Sequence, residues 1–166
     1  METGLPHLVF ALVAVQRLGE LVLARRNTRR LMRQGAVEAG RGHYPLFVLL
    51  HGGWLAALFF STPADAPVSW PLLVLFTLLQ AARGWVVASL GGYWTTRIIT
   101  LPSAPLIRKG PYRWVRHPNY LVVAAEIAVL PLAFGQVALA VVFSVLNLAL
   151  LAWRIRVENA VLAVRK

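Results

Sequence analysis

Long apolar runs, separated by short polar stretches, dominate the pattern along this chain of 166 residues. Five of the runs approach the ~20 apolar residues that a helix needs to cross a bilayer. They cover residues 5–24, 46–60, 68–90, 120–134 and 137–153. Because the second and fourth runs are short, we expect those two helices to be tilted or only partly inserted. The pattern predicts an all-α, polytopic membrane protein with about five transmembrane helices in a single domain.

The connection between the last two runs is very short. Little more than Phe134-Gly135-Gln136 separates them, and Pro131 stands just before. This spacing predicts a helical hairpin near the C-terminus. At the other end of the chain, residues 1–6 carry Glu2 and no cation, unlike the basic start of a cleaved signal peptide. We therefore expect the first apolar run to be retained.

Composition supports the membrane assignment and removes several kinds of chemistry. Hydrophobic residues make up 58% of the chain, charged residues 14%, and the mean hydropathy is +0.65. A soluble domain of this size is far less apolar. The chain has no cysteine, which excludes disulfides and thiol chemistry. Its four histidines are scattered and its carboxylates are few, so we expect no metal site.

The formal net charge of +11 is arranged in a way that indicates membrane topology rather than nucleic-acid binding. The cations form three clusters, which follow the first, third and fifth apolar runs. The clusters are Arg25, Arg26, Arg29, Arg30, Arg33 and Arg41, then Arg97, Arg108, Lys109, Arg113 and Arg116, and then Arg154, Arg156, Arg165 and Lys166. The opposite connections carry no cation. By the positive-inside rule the N-terminus lies outside and the C-terminus in the cytoplasm. Basic flanks of this kind also simply meet anionic lipid headgroups.

Residues 110–120 form the most informative stretch, reading Gly-Pro-Tyr-Arg-Trp-Val-Arg-His-Pro-Asn-Tyr between two apolar runs. Pro111 and Pro118 each remove a backbone donor and push the preceding residue out of helical geometry. The stretch therefore predicts a shaped loop that leads into a helix at about Asn119. Cations and aromatic rings in such a loop are typical of a binding site, although Trp114 alone is also typical of a membrane-interface anchor.

Polar side chains inside the apolar runs fall at similar depths. With a helical rise of about 1.5 Å per residue, each lies roughly 10 Å from the basic end of its run. They are Arg17, His51, Arg83, Glu126 and Asn147. Ionised groups in hydrocarbon are costly unless they are paired or wet, so this layer predicts a polar cavity that opens toward the cytoplasm.

Structural roles remain open for the same side chains. Arg17 and Glu20 are three residues apart on one helix face and can neutralise each other. Arg83 has no acid nearby in sequence, which leaves Glu126, Glu20 or a ligand anion as its partner. His51 is also compatible with a packed, hydrogen-bonded core residue.

The loop resembles the isoprenylcysteine carboxyl methyltransferase family. The resemblance rests on Gly110-Pro111-Tyr112-Arg113, Arg116-His117-Pro118-Asn119-Tyr120 and the closing Arg154-Ile155-Arg156-Val157-Glu158. More narrowly, Gly42-His43-Tyr44-Pro45, His51 and the segment from Trp94 to Pro102 resemble small bacterial members associated with type III polyketide synthases, which are thought to O-methylate alkylpyrones or alkylresorcinols. The Arg-His-Pro-Asn-Tyr piece by itself is shared with membrane sterol reductases and phospholipid methyltransferases.

The resemblance implies S-adenosylmethionine-dependent methyl transfer at the cytoplasmic face of a bacterial-type inner membrane. It implies that residues 91–166 form the cofactor pocket, and that the acceptor is a lipophilic carboxylate, phenol or enol. The cofactor-binding residues would be Tyr112, Arg113, Arg116, His117, Pro118, Tyr120 and Glu158. Arginine can grip a carboxylate bidentately, aromatic faces suit adenine or a sulfonium, and a glutamate can accept from ribose hydroxyls or an amine.

Candidate catalytic residues follow from the chemistry of the acceptor oxygen. Methyl transfer from a sulfonium is an in-line displacement that depends mainly on alignment. A phenol or enol acceptor also benefits from a base or a cation beside its oxygen. We expect Glu126 and His51 as candidate bases, and Arg83, Arg97 and Arg154 as cations that stabilise the acceptor anion.

Two other functions remain possible from the sequence. An NADPH-dependent membrane reductase would place an acid soon after Arg-His-Pro-Asn-Tyr, whereas Glu126 comes six residues after Tyr120. A small transporter or assembly protein would explain the buried charges as a conduit, but it leaves the proline-bounded loop without a purpose. We expect membrane lipid and a lipophilic small molecule as partners, no nucleic acid, and possible homo-oligomers.

Overall fold

The computed structural model describes residues 4–101 and 107–163, without the side chains of His43, Leu162 and Ala163. The sequence-based statements about Glu2, Arg165 and Lys166 concern residues outside these ranges. Five α-helices make up most of the described chain. They are α1 (Leu5–Arg33), α2 (Tyr44–Ser61), α3 (Trp70–Leu90), α4 (Pro118–Ala133) and α5 (Val137–Ala163). The predicted all-α membrane architecture is confirmed.

Four of the described helices, α1, α2, α3 and α5, are long and apolar enough to cross a membrane. Helix α4 is also apolar but has only 16 residues, so it is the shortest of the five. Its tilt or partial insertion, expected from that short length, stays a prediction.

Helix α1 continues beyond the apolar run of residues 5–24 that predicted it. The arginines from Arg25 to Arg33 follow that run and all lie on α1, which ends at Arg33. Arginine is a good helix former, and neither glycine nor proline occurs between Arg25 and Gly35, whose φ is +87°. Arg30 and Arg33 occupy the last turn, where positive charge complements the helix dipole.

The loop between α3 and α4 has the broken shape that its prolines predict. Gly110–Arg113 forms a short 3-10 helix, and α4 then begins at Pro118, one residue before the predicted start. Proline suits the first helical position because its missing N–H would be unsatisfied there in any case. The predicted hairpin between α4 and α5 is present, with Gly135 at φ +71° in its turn.

The apolar core lies toward the end of the bundle that holds this hairpin turn. The side chains of Phe10, Trp54, Phe76 and Phe134 are all at most 3% exposed. They belong to one buried cluster, which takes side chains from α1, α2, α3 and α4. Partly buried residues of α5 pack against this cluster. The rings of Phe10 and Phe134 meet edge to face with centroids 5.2 Å apart. The polar residues are therefore concentrated toward the opposite, basic end.

A two-stranded antiparallel ribbon ties two basic connections together at that end. Strand β1 (Val37–Ala39) pairs with β2 (Ile98–Thr100), with Val37 opposite Thr100. The Glu38 carboxylate lies 3.0 Å from Arg97 and 3.4 Å from Arg41. The sequence analysis did not predict this ribbon, because three-residue strands are too short to show a period-2 pattern.

Candidate functional site

A cavity of about 240 Å³ lies at the basic end of the bundle. Its wall is formed where α1 ends, where α4 begins and where α5 ends, together with β2 and the 3-10 helix at Gly110–Arg113. The polar side chains in its lining are Tyr93, Thr95, Arg97, Thr100, Tyr112, Arg116, His117, Asn119, Tyr120, Arg154 and Glu158. The cavity is thus both cationic and aromatic, with Glu158 as the carboxylate among the described lining residues.

Four of these side chains form a connected set between α4 and α5. Arg154 Nε donates to the Tyr120 hydroxyl at 2.7 Å, and that hydroxyl donates to Glu158 Oε2. The His117 ring stacks on the Tyr120 ring with centroids 5.2 Å apart and donates from Nε2 to Asn159 Oδ1 at 3.2 Å. These contacts hold the imidazole, the phenol and the carboxylate in fixed orientations at the cavity wall.

Two further residues add hydrogen-bonding capacity to the cavity. Burial, together with the negative charge of Glu158, raises the pKa of the Tyr112 phenol, so its hydroxyl stays protonated and can donate. Asn119 Oδ1 is buried and has no hydrogen-bond partner within the described residues. An unpaired buried acceptor in a cavity wall is a site for a donor group on a ligand.

The 3-10 helix that carries Tyr112 is pressed closely against α3. Gly110 has φ +56°, and a Cβ atom placed on it would lie 2.1 Å from Ser89 Oγ and 3.2 Å from Trp85 Nε1. The neighbouring Trp114 ring lies against the Trp85 ring, with centroids 6.0 Å apart. Only glycine combines this backbone conformation with so close an approach.

We expect Gly110→Ala to displace the 3-10 helix and to weaken ligand binding in the cavity. The strain of a positive φ costs an alanine about 1–2 kcal/mol, and the contact with Ser89 adds to it. The matched control is Gly35→Ala, since Gly35 also has a positive φ but has open space at its Cβ position. Thermal unfolding and ligand titration of both variants check this: equal binding by the two would show that the close approach to Ser89 does not matter.

The opposite wall depends on a residue that the sequence analysis missed. Asn27 on α1 donates to the Gly91 and Trp94 carbonyl oxygens at 3.2 and 2.8 Å. The guanidinium of Arg30 packs against Gly92 so closely that a Cβ atom there would lie 1.8 Å from it. In the sequence, Asn27 stands among the arginines of α1. An uncharged amide in a basic segment was the signal that could have identified it.

The charges deeper in the bundle form a closed network across α1, α3 and α4. Glu126 accepts from Arg17 at 2.7 Å and from Arg83 at 3.2 Å, and Glu20 pairs with the same two arginines at 3.2 and 2.6 Å. Gln80 donates to Glu126 at 2.8 Å. The network contains two arginines and two glutamates, so its charges balance. Both alternatives for Arg83, pairing with Glu20 and pairing with Glu126, are present together.

His51 lies on α2, one helical turn after Phe47, whose ring packs against the Arg154 guanidinium of the cavity. Its Nδ1 donates to the Phe47 carbonyl at 2.8 Å, and a carbonyl can only accept, so Nε2 of the neutral ring keeps its lone pair. His51 is therefore hydrogen-bonded through Nδ1, as its structural alternative requires.

The structure brings some of the predicted site residues together and separates others. Seven predicted residues line the cavity, namely Arg97, Tyr112, Arg116, His117, Tyr120, Arg154 and Glu158. Arg113 is exposed and lies over the Trp114 ring at 5.7 Å, and buried Pro118 opens α4; neither is among the described lining residues. Arg83, Glu126 and His51 lie deeper than the described lining. Their catalytic roles stay predictions. No metal-binding group of His, Cys, Asp or Glu occurs within the described residues.

The fold and the cavity define a polytopic membrane protein with a polar, cationic ligand site at the basic end of its helices. Residues 72–164, more than half of the chain, match the isoprenylcysteine carboxyl methyltransferase (ICMT) family. The chain belongs to this family, as the resemblance in the loop predicted.

Two relatives match nearly the whole chain. The chain is similar to the uncharacterized protein YpbQ of Bacillus subtilis (strain 168), with 39% identity over 163 residues that cover 93% of this chain and 95% of the relative. It is also similar to an uncharacterized protein of Haemophilus influenzae, with 25% identity over 166 residues that cover 95% of this chain and 94% of the relative. No solved structure matches the chain significantly.

Proposed function

We propose that this protein is an S-adenosylmethionine-dependent O-methyltransferase that acts on a lipophilic acceptor at the cytoplasmic face of the membrane. The observation that carries the proposal is the cavity at the basic end, where the family's Arg-His-Pro-Asn-Tyr segment and the C-terminal part of α5 converge. The positive-inside rule puts that end in the cytoplasm, where a water-soluble cofactor is available.

The groups in the cavity fit the functional groups of the cofactor. Arg116 can pair with its carboxylate. Glu158 and the unpaired Asn119 Oδ1 can accept from its amine or its ribose hydroxyls. The rings of Tyr112 and Tyr120 offer faces to the adenine or the positively charged sulfur. Donors, acceptors and aromatic faces are therefore all present within one wall.

When bound, S-adenosylmethionine supplies a methyl group on a positively charged sulfur. The residues of this chain hold and orient the two reactants, because in-line displacement depends on near-attack alignment. Arg154 is 8% exposed and lines the cavity, so its charge is available to an acceptor oxygen that becomes an anion. Nε2 of His51, whose lone pair the bond to Phe47 does not use, can take a proton from a phenol or enol acceptor.

The acceptor belongs to the lipophilic compounds that reach the protein through the bilayer. The apolar part of the cavity wall suits a long alkyl or prenyl chain, and its members are Leu31, Leu90, Ile98, Ile99, Leu101, Ile107 and Val161. The resemblance to small bacterial members favours a long-chain phenol or enol over a prenylated cysteine.

Equilibrium binding of S-adenosylhomocysteine and of NADPH to detergent-purified protein tests the proposal. We expect S-adenosylhomocysteine to bind with a Kd in the micromolar range, which corresponds to a binding free energy of about −8 kcal/mol. We expect NADPH to bind far more weakly, because the cations of the cavity are matched to one carboxylate and not to several phosphates. Tight binding of NADPH without any signal from S-adenosylhomocysteine would reverse the proposal in favour of a reductase.

A further inference from the structure

A buried amide in the middle of α5, that of Asn147, is not among the described lining residues of the cavity. Asn147 is 0% exposed, and neither Nδ2 nor Oδ1 has a hydrogen-bond partner within the described part of the chain. Ser144 Oγ and Trp54 Nε1 are also buried and unpaired there. Each such group costs about 1–3 kcal/mol relative to a paired one, and a leucine of similar volume would carry no such cost.

Two contacts fix how α5 lies against α2, from which we locate Asn147. The Arg154 guanidinium lies 5.3 Å from the Phe47 ring centroid. Farther from the cavity, a Cβ atom on Gly53 of α2 would lie 4.0 Å from the Phe143 ring of α5. The helices are therefore antiparallel, and interpolation between the two contacts places Asn147 level with His51. It also places the unpaired Ser144 and Trp54 groups close to one level, near Gly53.

Polar groups thus continue from the cavity into the interface between α2 and α5, which we call the seam. Arg154 lies in the cavity lining and packs over the ring of Phe47, which is one helical turn before His51 on α2. Asn147 follows seven residues before Arg154 on α5, which is roughly 10 Å deeper in the bundle. The seam leads from the end of α5 that meets the cofactor site toward the membrane interior, the direction from which a lipophilic acceptor comes.

Two consecutive glycines make α2 less rigid beside His51. A Cβ atom on Gly52 would meet nothing within 4 Å, and one on Gly53 would make only an ordinary contact, so close packing does not explain either residue. Each glycine costs about 1 kcal/mol of helix stability relative to alanine. The weakest part of α2 therefore lies at the level of Asn147.

We propose that Asn147 binds a second, neutral polar group of the acceptor, beyond the oxygen that receives the methyl group. This inference rests on the proposed function and adds a specificity-determining residue to it. A carboxamide is uncharged and both donates and accepts, so it matches a hydroxyl group carried on the same head as the reactive oxygen. An acceptor with a single oxygen function leaves Asn147 unpaired.

The test compares two probe acceptors, a long-chain alkylresorcinol with two hydroxyl groups and the alkylphenol of the same chain length with one. We expect the wild-type protein to have the lower KM for the alkylresorcinol. We expect Asn147→Leu to raise that KM about 10- to 100-fold, as expected for one or two lost hydrogen bonds, and to leave the KM for the alkylphenol unchanged. Asn147→Ser, which keeps a donor and an acceptor, should restore part of the preference.

Stability and cofactor binding separate this role from a structural one. Because Asn147 is unpaired in the fold, Asn147→Leu should keep or raise thermal stability and leave the affinity for S-adenosylhomocysteine unchanged. Val145→Leu, at a position 62% exposed on α5, serves as the matched control and should change none of these values. A less stable or unfolded Asn147→Leu protein, an equal change for both acceptors, or a wild-type protein without preference would overturn the inference. A failure to bind S-adenosylhomocysteine would instead refute the proposed function itself.

Discussion

Glu126→Leu is expected to lower the free energy of unfolding by about 3–5 kcal/mol, the range measured when one partner of a buried ion pair is removed. The Glu126 side chain is 2% exposed and pairs with both Arg17 and Arg83. Without it, two guanidinium groups share the single carboxylate of Glu20. Thermal and SDS-induced unfolding of the purified protein measure the loss.

A second variant separates broken charge balance from lost packing. In Arg17→Met combined with Glu126→Leu, the Arg83–Glu20 pair at 2.6 Å remains and the network is again neutral. Because apolar replacement of a whole buried pair is often neutral or stabilising, we expect the double variant to recover most of the stability. A double variant as unstable as Glu126→Leu would show that the charges are not what Glu126 contributes.

The same double variant also tests the catalytic prediction for Glu126. If the double variant is stable and keeps its methyltransferase activity, Glu126 is a structural partner of the two arginines and not the base. If it is stable, binds S-adenosylhomocysteine and fails to transfer the methyl group, the base role predicted from the sequence is supported.

His117→Ala is expected to weaken binding of S-adenosylhomocysteine by at least about 10- to 100-fold, which corresponds to the loss of one strong hydrogen bond at the ligand. Its ring lines the cavity and is held by the Tyr120 ring and Asn159. These contacts are few and lie at the edge of the bundle, so we expect little change in thermal unfolding. Titration calorimetry with S-adenosylhomocysteine measures the affinity.

Arg113→Ala is the matched control for this loop. Arg113 is a cation four residues away, it is exposed, and it is absent from the described cavity lining. We expect its removal to leave the affinity within about twofold, since a surface charge of this kind is screened by solvent. Equal losses for the two variants would mean that the loop acts through its overall charge and not through His117.

The sequence was sufficient for the helices because their physical signal is local. Apolar runs of membrane length, a Pro118 suited to the first position of a helix, and a three-residue connection at Phe134-Gly135-Gln136 each specify structure within a few residues. The apolar run of residues 5–24 located α1 but not its end, because the helix continues through the arginines that follow.

The candidate site could be predicted only in part. Six of the seven predicted cavity residues were identified because they occur in two compact motifs, around Arg116 and around Glu158. Asn27 was missed because a single asparagine among arginines does not reveal its partners, and Asn119 was given no role of its own although it lies within the Arg-His-Pro-Asn-Tyr motif. Arg113 and Arg116 look equivalent in the sequence. Only the structure shows that Arg116 lines the cavity, whereas Arg113, at the end of the 3-10 helix, is not among the described lining residues.

By itself, the sequence determined that this is an α-helical membrane protein with polar residues near one end and a family motif between its third and fourth helices, because hydrophobicity and proline act locally. The tertiary structure decided which charges neutralise each other, which motif residues face a common cavity, and that Asn147 has no partner. Those outcomes depend on how five helices pack, and residues such as Arg17 and Glu126, which are 109 positions apart, meet only once the whole bundle has formed.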